Sequence, residues 1–203
     1  MDVVQIEYDD RDYPVGLENK PSLSAIGSID VLQHLHESSL ALFCSVKCPG
    51  SIILKTHDLA QDLRVQGTTV ISGFHSPVEQ ECLRVLLRGK GQIILCPARS
   101  ITGGMRIPAE YKTPLAAGRL VILSPFGVND YRVTTKTADV RNQFVAMLAS
   151  RVFVAYAEPD GKTERFCRGL IAQGKPLYTF ESEVTANLRE MGAQVQNSSE
   201  NRV

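Results

Sequence analysis

The chain contains no tryptophan, and aromatic residues make up only 6% of it. It has no excess charge of either sign: 22 basic and 22 acidic residues cancel. A protein without net charge exerts no long-range pull on nucleic acid or an anionic membrane, so any such binding must come from a local patch. The five cysteines, Cys44, Cys48, Cys82, Cys96 and Cys167, form no Cys-x-x-Cys pair. That leaves no signature of a zinc ribbon or a dithiol redox motif, and buried free thiols of a reducing compartment are expected. No run of apolar residues reaches the roughly 18 that a membrane helix needs. The acidic start, MDVVQIEYDDRDYP, lacks the apolar segment of a signal peptide. A cytoplasmic protein without a membrane segment is therefore expected. Neither a Gly-x-Gly-x-x-Gly loop nor a Walker A loop occurs.

What is present is ordinary globular composition, with 43% hydrophobic and 22% charged residues in 203. That is enough for one domain with a sizeable core. Short apolar runs alternate with helix-length segments. Strands are expected at 39–45, 68–72, 92–96, 119–124, 151–156 and 176–180. Helices are expected between them at 51–66, 77–88, 107–118, 137–150 and 162–173, with a last one at 183–191. In the helix at 137–150, Val140, Phe144, Met147 and Leu148 are expected to face inward. The strands read as near-continuous apolar runs, which suits a sheet covered by helices on both faces. The expected fold is α/β: a Rossmann-like, doubly wound, mostly parallel sheet of about six strands. Residues 1–38 read as an N-terminal extension packing on this core. The core spans 39–192, and 193–203 reads as a disordered polar tail.

Ligands of open α/β sheets bind beyond the carboxyl ends of the strands. The turns expected there are rich in Gly, Ser, Thr and Pro. They hold Ser45 and Lys47 after the first core strand, and Ser72, Gly73, Phe74, His75 and Ser76 after the second. Gly161, Lys162 and Thr163 follow the fifth. Arg141 and Asn142 lie on the helix before that strand. Small residues let backbone N–H groups approach an anion, and helix N-termini favour one. These residues are the candidate phosphate-binding set. His75 is a candidate acid/base or contact group, with Glu79 four residues on able to orient it. No nucleophile–base–orienter set emerges, so no catalytic residue, metal or cofactor is assigned.

The run Thr69-Val70-Ile71-Ser72-Gly73-Phe74, followed by a helix and the strand near Gln92–Cys96, resembles the Rossmann-like domain of the DprA/Smf family of DNA-processing proteins. Ser72-Gly73-Phe74-His75 stands where the family carries Ser-Gly-Leu-Ala. Arg141-Asn142-Gln143 stands where it carries Arg-Asn-Arg. Gly174-Lys175-Pro176-Leu177-Tyr178 and the early Asp12-Tyr13-Pro14 with Leu17 also match, so the resemblance runs from about Tyr13 to Phe180. It departs at Cys44-Ser45-Val46-Lys47, which replaces Gly-Ser-Arg, at Gln143, and at the Glu158–Thr163 turn. The resemblance implies a non-catalytic protein that binds single-stranded DNA and has a recombinase as partner. Exposed edges of such sheets often pair, so a homo-oligomer is also expected. Ser72, Gly73, Arg141, Asn142 and Thr163 are the matched positions. The alternative is a sensor that binds a nucleotide or a nucleotide-derived small molecule. A third reading is a phosphoribohydrolase of the related LOG type, echoed by Pro159-Asp160-Gly161-Lys162-Thr163-Glu164. The catalytic arginine–glutamate pair of those enzymes has no counterpart here.

Overall fold

The computed structural model describes residues 2–17, 19–102 and 105–196. Its strands are β1 (Val4–Ile6), β2 (Leu23–Ile26), β3 (Ser39–Phe43), β4 (Thr69–Ser72), β5 (Ile93–Leu95), β6 (Leu120–Ser124), β7 (Arg151–Val154), β8 (Leu177–Thr179) and β9 (Gln194–Val195). Its helices are α1 (Gly50–Gln66), α2 (Pro77–Leu86), α3 (Ala109–Ala116), α4 (Thr135–Leu148), α5 (Lys162–Ala172) and α6 (Ala186–Glu190). All strands join one nine-stranded sheet in the order β1-β2-β6-β5-β4-β3-β7-β8-β9. From β6 to β9 the pairing is parallel, while β2 pairs antiparallel with both β6 and β1.

The α/β class and the parallel sheet agree with the sequence reading, but the sheet has three more strands than expected. β1, β2 and β9 are two to four residues long, too short to show a period. Residues 1–38 do more than pack on the core, since they supply β1 and β2. At the other end, Gln194–Val195 pairs with β8. The rest of the expected tail, 197–203, lies outside the described residues.

Successive residues of each core strand point to opposite faces, and the two faces carry separate cores. Leu40, Leu42, Val70, Ile93 and Ile122 meet α1, α2 and α3 on one face. Ala41, Phe43, Ile71, Ile94 and Val154 meet α4, α5 and α6 on the other. The split follows from topology. The chain steps from β3 to β6 in one direction and from β7 to β9 in the other, and right-handed crossovers then place the two helix sets on opposite faces.

Local signals explain the helix ends. Ser76 caps α2 by accepting the Glu79 N–H at 3.2 Å, and Pro77 fills the first turn, where no N–H is needed. Gly67 ends α1 at φ +71°, a left-handed conformation that costs glycine little. Val140, expected inward, is 45% exposed, and on α1 Ile53, whose spacing also fits the apolar pattern, is 41% exposed. Arg141 takes the inward position next to Val140, for the reason given below.

Phe153 of β7 is completely buried, with the Phe180 ring edge-on at 4.9 Å. Phe153→Ala should cost about 3–5 kcal/mol. Urea unfolding should show a lower midpoint with an unchanged slope.

Candidate functional site

Strand order reverses between β3 and β7, so the helices that flank this seam diverge and leave a crevice beyond the strand ends. The turns after β3 and β7 are tied together across it. The Ser45 N–H donates to the Tyr156 carbonyl at 2.9 Å. The Ser45 hydroxyl accepts the Glu158 N–H at 3.1 Å and donates to Thr163 Oγ1 at 3.0 Å.

After β7 the chain turns sharply through Glu158-Pro159-Asp160-Gly161. The Gly161 N–H bonds back to the Glu158 carbonyl at 2.9 Å, and Asp160 sits at φ +57°. Proline second and a left-handed residue third is the pattern of a type II turn. A Cβ on Gly161 would lie 2.7 Å from the Glu158 carbonyl oxygen, so glycine is required. Glu164 secures the turn by accepting the Asp160 N–H at 3.0 Å and the Asn187 amide at 2.8 Å. The Asn187 hydrogen bond holds the Glu164 carboxyl below the usual carboxylate range.

The turn after β4 is built around buried charge. Ser72 Oγ accepts the N–H of Phe74, which is buried at φ +45°. The Glu79 carboxylate, 6% exposed, accepts the Cys44 N–H at 2.9 Å, the His75 N–H at 2.7 Å and the Ser76 N–H at 3.3 Å. Glu79 thus bonds the backbone of His75, in place of the imidazole contact that the four-residue spacing suggests. The His75 side chain is exposed at the cleft. Burial pushes the Glu79 pKa up, against the pull of the three N–H groups and of Arg141.

Arg141, 5% exposed, reaches from α4 to the ends of β4 and β5. Its Nη1 donates to the Cys96 carbonyl at 3.1 Å and its Nε to Asn142 Oδ1 at 2.8 Å. The guanidinium lies where a side chain at residue 73 would be: a Cβ on Gly73 would fall 1.3 Å from Nη1. Gly73 and Arg141, 68 positions apart in sequence, are therefore one structural unit.

Above these turns, between α4 and α5, opens a cleft of about 1110 Å³. Of the candidate residues, Ser45, His75, Ser76 and Arg141 line it, as do Asn142, Lys162 and Thr163. Ser72, Gly73, Phe74 and Gly161 are not among its lining residues and shape the turns around it. Lys47 is exposed and lies outside the lining. The sequence reading missed Arg165, one helical turn beyond Lys162, and the aromatic residues Phe43, Phe144 and Phe166. It also missed that Glu79 holds the turns, although Ser76-x-x-Glu79 is a capping-box spacing visible in the sequence. Burial, the Cys48 thiol and Glu79 all push the Cys44 thiol up, away from a reactive thiolate.

No family model matches the chain. Over 118 residues it is 28% identical to the microtubule organization protein AKNA of Mus musculus, a stretch covering 58% of this chain but 8% of that protein. The structure superposes on DprA of Streptococcus pneumoniae with a TM-score of 0.75 at 17% identity, covering 95% of this chain and 70% of that one. For DprA of Helicobacter pylori the TM-score is 0.71 at 21% identity, covering 95% and 90%. The chain has the fold of DprA. The resemblance read at Ser72-Gly73 and Arg141-Asn142 thus extends to the whole sheet. The DprA of Helicobacter pylori binds single-stranded DNA. The molybdenum cofactor carrier protein of Chlamydomonas reinhardtii is a more distant likeness, with a TM-score of 0.53 at 11% identity, covering 79% of this chain and 91% of that one.

Two outcomes test this architecture. Gly73→Ala should cost at least about 1–3 kcal/mol, because the guanidinium must leave its place. Combined with Arg141→Ala, the losses should be well short of additive, since both changes break the same contact. Fully additive losses in a thermal-unfolding cycle would show the contact to be unimportant. For Glu79 the folded pKa stands above its value in the unfolded chain, so the folded state holds the proton more tightly. The stability from this proton is complete below the ordinary carboxylate range and is lost as pH rises through the raised value. The stability of the wild type relative to Glu79→Gln should therefore fall as pH rises from about 4 toward neutrality. A flat difference in urea midpoints would contradict the raised pKa.

Proposed function

We propose that this chain is a non-catalytic, DprA-like single-stranded DNA-binding protein whose backbone-phosphate site is the cleft over the β3–β7 seam. The observation that carries the reading is the cleft itself. It lies at the point where the strand order reverses, with the Ser45–Thr163 hydrogen bond at its base and Lys162 and Arg165 among its lining residues. Both cationic side chains are exposed, and although Arg165 Nη1 donates to the Asp160 carbonyl at 2.7 Å, its other N–H groups remain open to phosphate. Arg141 is committed to Cys96 and Asn142 and acts here by shaping the cleft. Glu79 and Glu164 are committed to backbone N–H groups, and the Cys44 thiol is pushed up, which favours binding over chemistry. A recombinase and a second copy of the chain are the protein partners this reading adds, with the cytoplasm as its setting. Among the described residues, no helix is long and apolar enough to cross a membrane.

A second reading has a specific observation behind it. Asp139, which is exposed, shares the cleft with the cationic residues, and a carboxylate there disfavours a polyanion more than a single nucleotide. The second reading is a sensor for a nucleotide or a nucleotide-derived small molecule.

Fluorescence anisotropy with a single-stranded oligonucleotide at several salt concentrations separates the two. For DNA binding, Lys162→Ala and Arg165→Ala should each flatten the plot of log affinity against log salt by about 0.7–1. An unchanged slope in the double variant would remove this cleft from DNA binding. No oligonucleotide binding, together with a melting temperature raised by a mononucleotide, would select the sensor.

A further inference from the structure

The end of the sheet opposite the cleft includes the three turns that precede β4, β5 and β6. These strands are neighbours in the sheet, so at about 4.8 Å between strands the three turns sit side by side within about 10 Å. Small residues let them press together. A Cβ on Gly91 would lie 2.9 Å from the Thr68 carbonyl oxygen, and one on Gly89 would lie 2.5 Å from Cγ of Arg64, in the last turn of α1. Arg119, just before β6, donates through Nη2 to the Leu87 carbonyl at 3.1 Å. Four cations, Arg64, Arg88, Lys90 and Arg119, are thus gathered around one stretch of backbone.

The turns themselves hold no carboxylate to offset them. The sequence has no acidic residue in 63–78, 82–109 or 111–129, the stretches that contain these turns. The segments beside them, before β3 and after β2, bring Glu37 and Asp30, which are held by His34 at 3.3 Å and by the Ser28 hydroxyl at 2.9 Å. Among the described residues, none of the four cations is in an ion pair. Helix C-termini attract cations, and α1 and α2 both end here. Arg64 and Arg119 serve that need. Arg88 and Lys90 are exposed, and Arg119 Nη1 is a buried donor without an acceptor, so cationic capacity is left over.

None of the three turns carries an aromatic side chain, so the patch offers charge and no platform for bases. Its arginines favour phosphate, which the planar guanidinium fork meets with two hydrogen bonds. Cations spread over about 10 Å suit a ligand whose phosphates repeat along its length better than a single anion. We infer that these turns form a second nucleic-acid contact, which takes the phosphate backbone of a single strand whose other part occupies the cleft. This rests on the reading of the chain as a DNA-binding protein. It adds that long strands are held at both ends of the sheet, with an avidity that short strands lack.

Oligothymidines of about 8 and about 40 nucleotides separate occupancy of one site from occupancy of both. In fluorescence anisotropy, the plot of log affinity against log salt should be steeper for the long strand. Arg88→Glu combined with Lys90→Glu should flatten the long-strand plot by about 1–1.5 and leave the short-strand plot as it is. Lys162→Ala combined with Arg165→Ala should flatten both. Circular dichroism checks the fold of the charge-reversed protein, and Arg88→Ala with Lys90→Ala replaces it if folding fails. An unchanged long-strand slope would overturn the second contact and leave the cleft reading standing. Equal weakening of both lengths would also overturn it, since only the long strand reaches both sites. Binding to phosphatidylserine vesicles that is lost in the variant, with the long-strand slope unchanged, would assign the patch to a membrane instead. If the wild type binds neither strand, this inference falls together with the DNA reading.

Discussion

A charged guanidinium buried beneath the strand ends sets the terms for the rest of the structure. Arg141 cannot lie there without acceptors, and it cannot lie there if residue 73 has a side chain. The fold meets both conditions with a glycine at 73 and with the Cys96 carbonyl and the Asn142 side chain as acceptors. The nearby Glu79 carboxylate solves the opposite problem. An anion without solvent is costly unless donors surround it, and three backbone N–H groups from two turns do so. Between them, these two side chains hold the ends of β3, β4 and β5 in register with α4.

That rigidity bears on the cleft. Ser45 and Thr163 join the third and seventh strand ends with one hydrogen bond, so the base of the cleft comes from distant segments and does not depend on a flexible loop. Sites whose supporting groups are fixed before the ligand arrives lose less entropy on binding. The zero net charge fits this picture, because attraction at the cleft is confined to the few cationic residues at its mouth. On the proposed reading, such a cleft selects by shape and local charge, with little long-range electrostatic capture.

Much of the fold is legible in the sequence because it rests on local signals. Apolar runs of four or more residues mark β3, β5, β6 and β7, and shorter ones mark β4 and β8. Ser76-Pro77 and Gly67 mark helix ends through capping chemistry. The short edge strands β1, β2 and β9 are not legible, because strands of two to four residues carry no periodic signal and exist only where a neighbouring edge accepts them. Val140 reads as inward because it is apolar. Arg141, one position on, takes the inward place because the hollow over Gly73 and the Cys96 carbonyl give its charge partners, a match that depends on residues far away in the chain.

The order of residues by itself determined the class of the fold, the alternation of strands and helices, and the small-residue turns, since each depends on contacts within a few positions. Only the tertiary structure decided which of those turns share a seam, that α4 and α5 part to leave a cleft, and that Glu79 holds backbone and leaves the His75 imidazole free of it. Those outcomes depend on pairs such as Ser45 with Thr163 and Gly73 with Arg141, whose partners lie 118 and 68 positions apart. No local preference encodes such distances; they arise when the strand order reverses and the sheet closes around its buried charges.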